Sequence, residues 1–392
     1  MQGPAKVIFH PDKKYCEESR MWQGVPGIEK TGKRLWATWF TGGKYEPCIH
    51  NYATVAYSDD CGESWIEPYF VVAADESKRM RVMDAQLWQE PGGRLWCYWA
   101  QDVYPEGCVA SDYDTNGDAL FDAFFGDVHT FGMYTDDPEA DAPVWSEPRY
   151  LCDGFVRNRP TLLPDGKLFI PGYGVKNPMY YRFSLADRLG GEAKVMEGPL
   201  QLGKKNFDEP MAVVQNDGSV RFLARTTLGH LAESYSYDYC RTWTQTVESG
   251  IENPCTRFFI RRLSNGMQLL INTPSSKLGN RRSLVAYLSE DDGKTWPYSM
   301  VIDERVGTSY PDAVESDDGF IYMIHDVQRD NRQRVDQDDP SRSDAVKEVC
   351  LSKFTVADIL NGQPVTEGTF LAKIISRLDY ASRALGNISG KY

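Results

Sequence analysis

Apolar positions in this chain come in short bursts, and turns ending in glycine separate them. Six times such a turn is followed by a β-rich run. Thr31-Gly32-Lys33 precedes Leu35 to Phe40, Gly92-Gly93 precedes Leu95 to Trp99, and Asp165-Gly166 precedes Leu168 to Ile170. Asp217-Gly218 then precedes Val220 to Leu223, Asn265-Gly266 precedes Gln268 to Ile271, and Asp318-Gly319 precedes Phe320 to Ile324. Another short apolar strand stands before each turn, so each unit reads as a hairpin with an Asx-Gly or Gly turn. The turn glycines lie about 50–75 residues apart, the size of a four-stranded propeller blade with its loops. Helical periodicity is scarce, and Val356 to Leu360 is the best short stretch of it.

A second repeat lies between the hairpins. The octet Ser289-Glu290-Asp291-Asp292-Gly293-Lys294-Thr295-Trp296 predicts a tight turn. Its Asp caps backbone amides, its Gly takes positive φ, and its Trp packs beneath the next strand. The pattern recurs from Ser58 to Trp65, and from Ser236 to Trp243 with Cys240 in place of the glycine. A copy stretched by an insertion runs from Thr135-Asp136 to Trp145. Four copies in register with six hairpins predict an all-β, six-bladed β-propeller filling residues 1–392 as a single domain.

Composition narrows the function. Aromatic residues make up 12% of the chain, which suits strands and sugar-binding surfaces. A net charge of −13 argues against nucleic acid or an acidic membrane as partner, and no apolar run is long enough to cross a bilayer. Nine cysteines, without a Cys-x-x-Cys pair, favour reduced thiols over a disulfide framework or a zinc knuckle. The expected setting is cytoplasmic, or secreted if a leader has been removed. Asp112 to Asp118 begins like a calcium loop, but Ala123 stands where the closing Glu belongs. An acidic solvated loop is the better reading, and neither metal nor cofactor is expected.

The octets are similar to the Asp-boxes of the sialidase superfamily, and the six-hairpin layout resembles its catalytic propeller over nearly the whole chain. That resemblance implies a retaining exo-glycosidase that removes a terminal acidic sugar from a glycan through a tyrosine nucleophile paired with a glutamate. Asn206-Phe207-Asp208-Glu209, followed by Asp217-Gly218 and Leu223-Ala224-Arg225, resembles the segment bearing the pair's glutamate and one clamp arginine. Glu209 and Arg225 take those places. Arg281-Arg282, ahead of Ser289, resembles the later clamp, with Arg281 the better match and Arg282 its rival. Tyr310, in Gly307-Thr308-Ser309-Tyr310-Pro311, falls where the nucleophile belongs. For the leaving-group acid, the loop from Gly42 to His50 offers Glu46 first and His50 second, with Asp84 a third choice. The family's first clamp arginine opens an Arg-Ile-Pro motif. Here Arg20-Met21-Trp22-Gln23-Gly24-Val25-Pro26 places Gln23 in its position and Arg20 three residues earlier. A neutral amide there suits a hydroxyl or amide better than a carboxylate, which bears on the sugar more than on the reaction.

The chemistry behind such a set is physical. A 2-keto acid sugar carries a carboxylate on its anomeric carbon, which repels an anionic nucleophile but not a phenol. Guanidinium groups hold the sugar's carboxylate through charge-assisted bonds. Ordinary structural readings stand beside each residue. Tyr310 fits a rim aromatic, Glu209 a surface pair with Lys204 or Lys205, and Arg225 and Arg281 inter-blade ion pairs. Arg257 fits a residue of the functional face, whereas Arg159, His230 and His325-Asp326 read as structural. A lyase acting next to a uronate, another exo-glycosidase, and a non-catalytic carbohydrate-binding propeller remain open alternatives.

Overall fold

The computed structural model describes residues 2–43, 46, 49–104, 127–172, 180–202, 209–327 and 346–379. The calcium-like stretch at Asp112 to Ala123 lies outside them. Six antiparallel sheets form, each from strands consecutive in the chain. The first carries a fifth strand, Val7–Phe9, on its outer edge. The inner strands of blades 6, 1 and 2, and those of blades 3 to 6 in turn, pack side by side around the axis. These inner strands are Gln23–Thr31, Met80–Gln89, Thr161–Leu162, Met211–Val214, Phe259–Arg262 and Thr308–Glu315. The architecture is the expected six-bladed β-propeller. Its one described α-helix, Val356–Asn361, is capped by a reciprocal pair between Thr355 and Asp358.

Each glycine turn joins the first and second strands of a blade at one end of the molecule. Antiparallel pairing then places the starts of the inner strands, and the loops between second and third strands, at the opposite end. The Asp-box turns join third to fourth strands and lie at the hairpin end. In the box of blade 5, the Ser289 hydroxyl donates to Asp291 at 2.8 Å, and Asp291 accepts the Thr295 N–H at 2.9 Å and its hydroxyl at 2.7 Å. Asp60 and Asp238 make the same set of bonds in blades 1 and 4.

The box tryptophans reach further than a strand of their own blade. Trp243 of blade 4 meets Phe222 of its own blade at 5.5 Å and Phe183 of blade 3 at 5.7 Å, ring centre to ring centre. Trp145 of blade 2 meets Trp36 and Phe70 of blade 1 at 5.8 and 5.3 Å. Trp65 joins the apolar cluster that blades 1 and 6 share. Each ring therefore seals the wedge between its blade and the preceding one, where two twisted sheets diverge.

No described sheet contains strands from both ends of the chain, so the ring closes through side chains. Asp326 of blade 6 accepts the Val25 N–H at 2.7 Å, and Asp312 accepts the Ile28 N–H at 2.9 Å. Gln23 donates to the Lys347 carbonyl at 3.1 Å and accepts from the Ser376 hydroxyl at 3.0 Å.

Candidate active site

The inner strands begin irregularly, and that irregularity builds the site. Register slips between Met83 and Gln86, between Ser309 and Asp312, and between Gly24 and Gly27. At each slip a non-glycine residue takes positive φ: +53° at Asp84, +52° at Tyr310 and +55° at Val25. Glu209, just ahead of the inner strand of blade 4, does so at +31°. Such backbone is costly for a bulky side chain, and bulges re-aim what they carry. Here they turn Asp84, Glu209 and Tyr310 into one buried cluster.

The Tyr310 hydroxyl donates to Glu209 Oε1 at 2.9 Å. Its oxygen accepts from Arg157 Nη1 at 3.0 Å and from Arg225 Nη1 at 3.2 Å. Arg225 Nη1 also reaches Glu209 Oε2 at 2.8 Å, and Arg157 pairs with Glu209 Oε1 through Nη1 and with Asp84 Oδ2, at 2.5 Å, through Nη2. Arg281 stands over the Tyr310 ring, 5.7 Å from its centre. Its buried Nε and Nη1 have no hydrogen-bond partner among the described residues. Burial works to raise the Glu209 carboxyl, but Arg225 and Arg157 outweigh it and hold the group down at about 2. Burial and the Glu209 charge push the Tyr310 phenol up, while Arg157, Arg225 and Arg281 pull it back.

Deeper along the axis lies a second layer of charge. Arg159 bridges Glu29 at 2.8 Å and Asp312 at 3.2 Å. Arg257 donates to Asn158 Oδ1 at 2.7 Å and reaches Asp312 at 3.5 Å. Asn158 donates to the Glu209 and Pro210 carbonyls, which ties this layer to the one above.

Of the residues singled out from sequence, Tyr310, Glu209, Arg225, Arg281 and Asp84 meet in one cluster, with Arg257 beneath it. The others lie elsewhere. Arg20 is buried in the outer half of blade 1, paired with Glu67 and bonded to the Tyr15 carbonyl and the Tyr52 hydroxyl. Gln23 is spent on the seam with blade 6. His50 is exposed and pairs with Glu76 at 2.9 Å, and Arg282 is exposed at the start of its strand. Glu46 is half-buried on the loop after Thr41, at the mouth end. Equivalence of the register slips puts Val25, not Gln23, at the blade 1 position that matches Tyr310 and Asp84.

Sequence reasoning missed Arg157. It precedes the inner strand of blade 3, away from any Asp-box, so no repeat marked it. Yet a spacing does: Asp84, Arg157, Glu209, Arg257 and Tyr310 each stand nine residues before a turn glycine, at Gly93, Gly166, Gly218, Gly266 and Gly319. Five blades thus present a polar or charged residue at the same distance from their hairpin, and in blade 1 the same spacing before Gly32 falls on Gln23, two residues ahead of the bulge residue Val25.

The chain is a six-bladed β-propeller whose axis buries a tyrosine–glutamate pair among guanidinium groups. Residues 33–323 match the BNR repeat-like domain family, and the chain belongs to it. The fold is similar to that of an intramolecular trans-sialidase from Ruminococcus gnavus (TM-score 0.64, 15% identity, 92% of this chain and 99% of that one). It is also similar to the NanB sialidase from Streptococcus pneumoniae (TM-score 0.61, 16% identity, 91% and 71%). The Hadza microbial sialidase Hz136 is a third likeness (TM-score 0.58, 19% identity, 78% of this chain), and this chain spans only 63% of its length. At these identities the likeness is one of fold. No curated protein matches the sequence.

Proposed function

We propose that the chain is a retaining exo-glycosidase of the sialidase type, with Tyr310 as nucleophile and a terminal acidic sugar as substrate. The observation that carries this reading is the 2.9 Å bond from the Tyr310 hydroxyl to Glu209, buried beneath guanidinium groups. The solved structures of similar fold named above are sialidases or a trans-sialidase, which supports the same reaction class. Arg281, with open donors, and Arg225 hold the sugar's carboxylate. The phenol attacks the anomeric carbon, its proton passes to Glu209, and water later releases the sugar. Protonation of the leaving oxygen is assigned to Glu46 on the mouth-side loop, ahead of Asp84, whose Oδ2 is bonded to Arg157.

A panel of chromogenic sialyl and uronyl glycosides, assayed with Tyr310→Phe and Glu46→Gln, tests the reading. Tyr310→Phe is expected to lose turnover on the order of 10³-fold or more. Glu46→Gln is expected to lose about 10²–10⁴-fold on alkyl glycosides and far less on aryl ones, whose leaving group needs no proton. Wild-type turnover in Tyr310→Phe would remove the proposed mechanism.

One observation favours a second reading. Val25 puts an apolar side chain at the blade 1 position that is polar or charged elsewhere, so the mouth lacks a cation there. That suits an acidic sugar other than an ordinary sialic acid, or a lyase acting next to a uronate. Appearance of an unsaturated product absorbing in the ultraviolet would identify the lyase.

A further inference from the structure

Arg157 differs from the other guanidinium groups of the site in what it joins. It rises from blade 3, at the same spacing before its hairpin glycine as Tyr310 and Glu209 before theirs. Its side chain is buried, and its arms face opposite ways. One terminal nitrogen serves both Glu209 Oε1 and the Tyr310 oxygen, at 3.0 Å from the latter, while the other holds Asp84 Oδ2. Its guanidinium carbon lies 5.2 Å from the centre of the Tyr310 ring.

We propose that Arg157 is a positioning residue of the glycosidase reaction, clamping Asp84 of blade 2 to the Glu209–Tyr310 pair so that the phenol oxygen meets the sugar pre-aligned and charge-assisted. The inference rests on the functional reading above. A phenol has one donor and two lone pairs, and in the resting site all are assigned: the hydrogen to Glu209, the pairs to Arg157 and Arg225. When the bond to the anomeric carbon forms, the phenol proton goes to Glu209. The electron pair of the broken O–H bond becomes available for carbon, and the bond to the leaving oxygen breaks with a proton from the acid. When water later attacks, its proton goes to the carboxylate that the acid has become, and the same electron pair returns to the phenol oxygen. The guanidinium N–H groups receive that developing charge, and Glu209 gives the phenol its proton back.

Glu209 alone is a poor activator. Two guanidinium groups hold it well below the usual carboxylate range, so its pull on the phenol proton is weak. The charged groups facing Tyr310 are Glu209, Arg157, Arg225 and Arg281, and three of the four favour the phenolate. Of those three, Arg157 is bonded to Asp84, and so fixes the phenol against a second blade. A lysine cannot copy this geometry, because its single ammonium does not span two carboxylates and a phenol with a planar fork.

The test uses the full chain, the 4-methylumbelliferyl glycoside of sialic acid, and the variants Arg157→Lys and Arg157→Ala, each with a thermal melt. Arg157→Lys is expected to fold and to lose kcat by about 10²-fold, with KM changed less than about threefold. Arg157→Ala is expected to lose more, and added guanidinium, but not methylammonium, is expected to restore part of kcat. A folded Arg157→Lys with kcat near wild type, or a loss confined to KM, overturns the proposal. So does an Arg157→Lys that fails to fold, which would make the residue structural. A wild type that turns over no acidic-sugar glycoside sinks the functional reading and this inference together. An active wild type with an indifferent Arg157→Lys sinks the inference alone.

Discussion

Asp326 shows how a single side chain couples ring closure to proton uptake. It accepts the Val25 N–H and the Ser309 hydroxyl, one residue before the proposed nucleophile. Burial lifts its carboxyl to about 7, against the pull of those donors and of Arg281 and Arg257. An unfolded aspartate titrates near ~3.9, so between the two values the folded chain keeps a proton that the unfolded chain has lost. Its contribution to stability is therefore complete below about pH 4 and is lost as pH rises through about 7. Asp326→Asn, neutral throughout, is expected to flatten the pH dependence of the melting midpoint across that window. An unchanged slope would show that Asp326 titrates alike in both states.

The elements were the most legible part of the sequence, because both repeats are local. A glycine turn and a Ser-x-Asp-x-Gly-x-Thr-Trp octet each complete their hydrogen bonds within a few residues, so Asp291 and Thr295 declare their geometry wherever the chain goes. The side on which Trp243 packs is not local. It depends on the wedge that two neighbouring sheets leave, and the ring turns toward Phe183 of the preceding blade. Tyr310, Glu209, Arg225 and Arg281 were found by their order relative to the repeats. Arg157 is marked in the sequence by its nine-residue spacing before Gly166 and by no Asp-box, and its partners on blades 2, 4 and 6 show only in the closed ring. Gln23 misled because blade 1 turns on the two residues between Thr31 and Arg34 where blades 2 and 6 use five, so the residue matching Tyr310 is Val25, two positions on, which is invisible without the pairing. The element-scale prediction concerns the wedge: Trp243→Ala is expected to cost about 2–3 kcal/mol, below the ~3–5 kcal/mol of a fully buried aromatic, because the ring is only partly covered. Denaturant unfolding measures it. A loss under ~0.5 kcal/mol would mean that the ring covers surface without joining blades.

At the scale of the whole molecule, the axis is filled with paired charge rather than apolar side chains. Asp312 accepts from Arg159, Arg257 and the Ile28 N–H, joining blades 1, 3, 5 and 6 at one carboxylate. Removing one partner of a buried ionic group leaves the rest uncompensated, which costs about 3–5 kcal/mol. Asp312→Ala is expected to fall in that range in chemical denaturation, and far more than removal of the exposed Lys167–Asp187 pair, for which ~0–1 kcal/mol is expected. Equal costs would show that the axis is not what holds the ring. The division of the molecule into two ends has a practical consequence. Exposed box-turn residues such as Tyr237 and Glu290 sit where the strands point away from the mouth. A surface or fused partner attached there would leave the cavity facing open solution, and a large polymer could still thread its terminus in from the other side.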